Sequence, residues 1–208
     1  MTARRVITRG GRHFRGRYPS KKMGQMIQFE SFNEREMILR LEFSQGVHSY
    51  REQPVRLFYS DGDRMRTYFP DFEARLTNGD VIHIEVKPVE RLSSMVTTEK
   101  FSHIAEHYAR YRTELYRIIT DEELRVEPLS TNLKLLSTIK TKPSDQRVIA
   151  PNLKQSGEKW ADLAIKHGAQ ALYRHVAHGE WVCALDQPLE GDLLVFHRNG
   201  VKNDPIYF

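Results

Sequence analysis

Hydrophobic and polar positions change their period several times along this chain. Met37, Ile38 and Leu41 recur at helical spacing, and Ser31 with Glu34 fits the S-x-x-E capping box, which predicts a helix over 31–43. The period then shortens to two. "VHSY" (47–50), "VRLFY" (55–59), "DFEARL" (71–76) and "VIHIEVK" (81–87) read as strands, with Gly62 and Asn78-Gly79 marking turns. Phe101, Ile104, Ala105, Tyr108 and Tyr111 share one side of a predicted helix over 98–112 and are read as packing residues. A strand at 115–119, a helical turn at 120–124 with a second capping-box spacing (Thr120 to Glu123) and a helix over 129–139 follow. Polar "KTKPSDQR" (140–147) then interrupts the pattern, with Pro151 just beyond. After it come two predicted helices, 156–167 and 169–178, parted by Gly168 and closed by Gly179. "WVCAL" and "LLVFH" read as strands, so the C-terminal string is helix, turn, helix, hairpin, as in a winged-helix-like unit.

The hairpin at 71–87 repays a closer look, because its register decides which side chains share a face. Asn78-Gly79 as a two-residue turn would mix apolar and polar side chains on both faces. An odd-length loop, pairing Phe72 with Val86, Ala74 with Ile84 and Leu76 with Ile82, makes one face uniformly apolar. That second register is the expectation. It gathers Asp71, Glu85 and Lys87 on the opposite face, with Glu73 and His83 beside them.

Composition narrows the class. The 208 residues suit one medium domain, or a domain plus a small appendage. No apolar run approaches the ~20 residues that cross a bilayer, and Arg4 and Arg5 are followed by no apolar signal region. The single cysteine, Cys183, excludes an internal disulfide and a cysteine-rich zinc site, and is read as buried and inert. A cytoplasmic protein is expected. Charge is uneven: Glu30 is the first acid, and before it stand eight Arg and Lys residues, among them Arg12, Arg15, Arg17, Lys21 and Lys22. With Gly10, Gly11, Gly16 and Gly24, residues 1–28 read as a mobile basic arm attracted to phosphate, with those five residues as DNA contacts, or else as a solvated, disordered tail.

Two carboxylates forced close repel each other unless a cation lies between them. Hard oxygen ligands suit Mg²⁺ or Mn²⁺, and such an ion can stabilise attack on a phosphodiester. A neighbouring lysine can neutralise the developing phosphate charge. Asp71, Glu85 and Lys87 therefore read as a candidate nuclease centre. An exposed hairpin face with a salt-bridging lysine is the alternative that spacing alone leaves open.

Pro70-Asp71 with Glu85-Val86-Lys87 resembles the PD-(D/E)xK nucleases. The ordered blocks "FESFNEREMILRLEF", "YREQPVRLFY", "YFPDFEARL", "IEVKP" and "YRIITDEELR" look like those of the TnsA family, endonuclease subunits of heteromeric bacterial transposases. The likeness covers most of 29–139. It implies an α/β, restriction-endonuclease-like core (a central mixed sheet flanked by helices) with a small C-terminal domain. It implies Glu34, Asp71, Glu85 and the Val86 carbonyl as metal ligands, with Glu34, Asp71, Glu85 and Lys87 catalytic and Mg²⁺ the cofactor, Mn²⁺ substituting. Gln53 also matches a family position. The implied activity is hydrolysis of the 5′-end strand at transposon ends. The implied partners are double-stranded transposon-end DNA, a TnsB-like DDE transposase and a TnsC-like AAA+ ATPase. The expected organisation is a basic arm (1–28), a nuclease domain (29–140), a linker (141–150) and a DNA- or partner-binding domain (151–208). A stand-alone restriction, repair or phage nuclease and an idle DNA-binding assembly subunit remain open alternatives.

Other polar residues have plainer readings. Glu34 also completes the capping box. His83 is a neighbour rather than a ligand, since these metals prefer oxygen. His103 with His107, and His175 with His178, lack a supporting carboxylate motif. Lys166, Arg174 and His175 either face DNA or belong to a solvated helix face.

Overall fold

In a computed structural model, residues 14–140, 150–200 and 205–208 are described. Much of the expected basic arm is ordered. β1 (Gly16–Ser20) pairs antiparallel with β2 (Gln25–Phe29), and Tyr18, Ile27 and Phe29 are buried. The alternation that does this is short and interrupted by Pro19, and the charge around it masks it. A buried carboxylate fixes the hairpin. Glu42 accepts hydrogen bonds from the Ser20 hydroxyl at 2.6 Å and the Tyr50 hydroxyl at 2.7 Å. It also accepts the Lys21 and Lys22 amides at 3.1 and 3.0 Å. Four donors on one carboxylate offset its removal from water.

Glu42 belongs to α1 (Phe32–Phe43), which begins at the predicted cap: the Glu34 amide donates to the Ser31 hydroxyl at 3.1 Å. Its Met37, Ile38, Leu39 and Leu41 are almost fully buried. Then follow β3 (Val47–Glu52), β4 (Leu57–Ser60), β5 (Met65–Tyr68), β6 (Phe72–Leu76) and β7 (Val81–Lys87). α2 (Val89–Leu92), α3 (Met95–Tyr111), β8 (Leu115–Thr120) and α4 (Asp121–Leu124) complete this part. A four-stranded mixed sheet runs β3-β6-β7-β8, antiparallel except for the parallel β7/β8 pair, and β4 pairs with β5 apart from it. α3 buries Phe101, Ile104 and Tyr108 against Leu57, Tyr59 and Tyr68. Tyr111, expected in that core, is 71% exposed, because it closes the helix beyond the packed stripe.

The chain divides into two compact units, one of residues 1–42, 46–124 and 208, the other of 43–45 and 125–207. α5 (Leu129–Lys140), read from sequence as the end of the nuclease domain, falls in the second unit. The expected linker lies almost wholly in 141–149, outside the described residues. Next come β9 (Glu158–Lys159), α6 (Trp160–His167), α7 (Ala169–Ala177), β10 (Trp181–Val182) and β11 (Leu194–His197). The helix expected from 156 starts only at Trp160, because Glu158 and Lys159 pair with β11. Gly168, at φ +82°, makes the turn between the helices. His175 is buried, bonded to Glu180 at 2.6 Å and packed on Trp181, so it does not face DNA; Lys166 and Arg174 are exposed. Cys183 is buried as expected, and burial pushes its thiol up to about 12.

Candidate active site

The β6/β7 hairpin builds the site. Phe72 faces Ile84 and Ala74 faces Ile82. The loop is odd-length as expected, but shorter than the expected register requires. Leu76 donates to the Asp80 carbonyl at 2.8 Å and Gly79 donates to Leu76 at 3.1 Å, while the Asn78 side chain accepts the Asp80 amide at 3.0 Å. These bonds close the turn over 77–79 and move the pairing by two residues. A two-residue shift preserves every face. It changes the partners: continuing the ladder one step sets Asp71 opposite Glu85 rather than Lys87.

The carboxylates and the lysine do come together. Lys87 Nζ lies 2.6 Å from Glu85 Oε1 and 3.9 Å from Asp71 Oδ2. The Val86 amide donates to Asp71 Oδ2 at 2.8 Å. Burial, then the charge of Glu85, holds the Asp71 carboxyl well above the usual carboxylate range, and Lys87 only partly relieves it. Burial pulls the Lys87 ammonium down, but Asp71 and Glu85 outweigh it and its pKa is raised. The lysine is thus charged, between two carboxylates that it does not fully neutralise.

Glu34 is within electrostatic reach of Asp71 and Lys87. Its two oxygens, however, serve the capping box: Oε1 accepts from the Ser31 hydroxyl at 2.9 Å and Oε2 from the Glu30 amide at 2.8 Å. Burial raises its pKa. Among the described residues, no three His, Cys, Asp or Glu side chains converge on one cation position. The donor chemistry still fits a hard divalent ion, since Asp71 and Glu85 form a desolvated carboxylate pair with surplus negative charge.

One supporting residue, Tyr68, escaped the reading of the sequence, and another, Gln53, was noted there without a role. Tyr68 is buried and donates to Glu85 Oε2 at 2.6 Å, leaving Glu85 gripped from both sides. Tyr68 belongs to β5, in another sheet, so no strand periodicity links it to Glu85. Gln53 has φ +39°, and its amide donates to the Asp71 carbonyl at 2.8 Å. A positive φ in a buried non-glycine residue is strain held by its surroundings, here where the Asp71 backbone is fixed.

Residues 44–121 match the family model described as TnsA-like endonuclease N terminal. This segment is a TnsA-like endonuclease domain. No curated protein matches the chain significantly. The TnsA-like segment contains Asp71, Glu85 and Lys87 and stops short of Glu34. TnsA-like membership implies a restriction-endonuclease-like core for the mixed sheet, and a DNA nuclease of the transposase type.

The remaining sequence candidates scatter. Glu73 accepts from Arg51 at 2.8 Å, lies 3.3 Å from Arg75 and 3.1 Å from His83, and is thereby held below the usual range despite its burial. His83 also contacts the Tyr108 hydroxyl at 2.7 Å, and burial lowers its pKa. Neither joins the centre. Arg12 lies outside the described residues. Arg15 pairs with Glu30 at 3.2 Å. Lys22 Nζ donates to the Leu41 and Val47 carbonyls at 2.7 and 2.9 Å, which is a structural use. Arg17 and Lys21 are exposed. No helix among the described residues is long and apolar enough to cross a membrane.

Proposed function

We propose that this chain is a metal-dependent endodeoxyribonuclease subunit of a cut-and-paste transposase, hydrolysing the 5′-end strand at transposon ends. The observation that carries this reading is the Asp71–Glu85–Lys87 cluster inside a TnsA-like endonuclease domain, with negative charge left over after the lysine. Asp71 and Glu85 would hold Mg²⁺ or Mn²⁺, with Glu34 a further ligand if its cap opens. The ion, when bound, supplies charge stabilisation at the scissile phosphodiester. The Val86 amide and Tyr68 keep the two carboxylates aimed. Lys87 orients the attacking water or neutralises charge on the phosphate oxygens, and needs no covalent intermediate to do so. The partners of this reading are a TnsB-like DDE transposase for the other strand and a TnsC-like ATPase. The second unit would then bind DNA or one of them.

The test is nicking of supercoiled plasmid with Mg²⁺ or Mn²⁺, by the protein alone and with a TnsB-like transposase added. Metal-dependent cutting that Asp71→Ala abolishes is the expected result. Cutting retained by Asp71→Ala in the assembled complex would overturn the reading. Full cutting without any partner would assign the centre to a stand-alone nuclease instead.

A further inference from the structure

The face that carries the candidate centre continues away from it. Along β6 and the residue before it, the side chains of Asp71, Glu73 and Arg75 alternate onto one face, and the ladder sets Arg51 opposite Glu73 and Ser49 opposite Arg75. At about 3.4 Å per residue, Arg75 lies about 14 Å along the strand from Asp71, the rise of about four base pairs of duplex. Here the sheet edge and the β1/β2 hairpin border a half-open cavity of about 410 Å³, whose lining includes Gln25, Gln28, Ser49, Arg51, Glu73 and Arg75. Arg17 stands across the hairpin from Gln28 and is exposed.

The charges in this cavity are not closed among themselves. Arg51 and Arg75 share one carboxylate, that of Glu73. The Arg51 Nε is buried with no acceptor among the described residues, although burying an unmet donor is costly. Arg75 is 57% exposed, so its guanidinium reaches solvent beside the cavity. Glu52, also in the lining, lies on the opposite face of β3, paired with Phe72. Two guanidiniums on one carboxylate, amide and hydroxyl donors around them, and another arginine at the rim match what a phosphodiester backbone requires.

We propose that the cavity between the β1/β2 hairpin and the β3/β6 edge seats backbone phosphates of the duplex flanking the cut, with Arg51 and Arg75 as the phosphate contacts. This rests on the nuclease reading for its choice of DNA. Glu73 then has a second role. It holds both arginines in place and, in doing so, weakens their grip on phosphate.

The test uses the full chain and a fluorescein-labelled duplex in EDTA, so that neither metal nor cutting enters. Anisotropy titrations over a salt series give the slope of log affinity against log salt. Arg51→Gln/Arg75→Gln should weaken binding about ten-fold at moderate salt and flatten the slope by about 1 to 2, since each lost phosphate contact contributes about 0.9. Glu73→Gln, which frees both arginines, should tighten binding instead. Thermal melting confirms that each variant is folded, and the two opposite shifts cannot both come from a general loss of structure. An unchanged slope in a folded double variant would overturn the proposal. So would tighter binding to an RNA duplex that the same variants lose. The nuclease reading fails on a different result, cutting by Asp71→Ala, which this binding measurement does not involve.

Discussion

Asp71, just before β6, and Glu73, within it, are two residues apart and face the same way, yet their surroundings differ in sign. Glu73 meets Arg51, Arg75 and His83, and its carboxyl is held below the usual range. Asp71 meets another carboxylate and one shared lysine, and its carboxyl is held well above that range. The first carboxylate is matched by cations, and it is the arginines around it that keep charge to spare. The second is open, and a cation would complete it. On a sheet face rich in charge, the candidate centre is the place where carboxylate is in surplus.

The comparison can be broken by four substitutions. Lys87→Ala should have the largest effect, lowering strand cutting about 10²–10³-fold, while Mn²⁺ binding followed by calorimetry persists. If Mn²⁺ binding is lost instead, Lys87 serves to organise the carboxylates. Glu73→Ala should leave the Asp71 side intact but destabilise the fold by about 2–3 kcal/mol in urea unfolding, because it strands a buried histidine and two arginines. Tyr68→Phe removes one bond to Glu85 and should weaken Mn²⁺ binding about ten-fold, as outer-shell losses do. The smallest effect concerns Asp71→Asn. A carboxyl with a raised folded-state pKa binds more protons folded than unfolded. Its stabilising contribution is therefore fully present below the ordinary value of 3.8 and falls as pH rises through the raised value. At neutral pH and without metal, Asp71→Asn should melt higher by about 2–4 °C for each kcal/mol relieved, about 1 kcal/mol in all, and the gain should vanish in acid. No gain at neutral pH would show Lys87 to be a sufficient counter-charge.

The candidate face was legible because face membership needs only parity. The residues to be buried, Phe72, Ala74, Ile82 and Ile84, alternate cleanly, so Asp71, Glu85 and Lys87 had to fall on the other side. The exact pairing depended on hydrogen bonds inside the turn, which the alternation does not encode. The cap on α1 was readable for the same local reason. The β1/β2 hairpin was not, since its order depends on Glu42, twenty residues away, and its basic composition suggested the reverse. Tyr68 and the Arg51–Glu73–Arg75 cluster were hidden likewise, each being made by strands that are distant in sequence.

The clasp on Glu42 bears on how DNA is met. A basic segment that folds only on its target loses chain entropy at the moment of contact, about 1–2 kcal/mol for each residue it orders. From Gly16 to Phe29 that ordering is complete beforehand, carried out by a carboxylate on the protein's own helix. Arg17 is therefore presented on a rigid support. If Arg17 meets DNA, its attraction for phosphate would go into affinity and orientation, with none spent on shaping the chain.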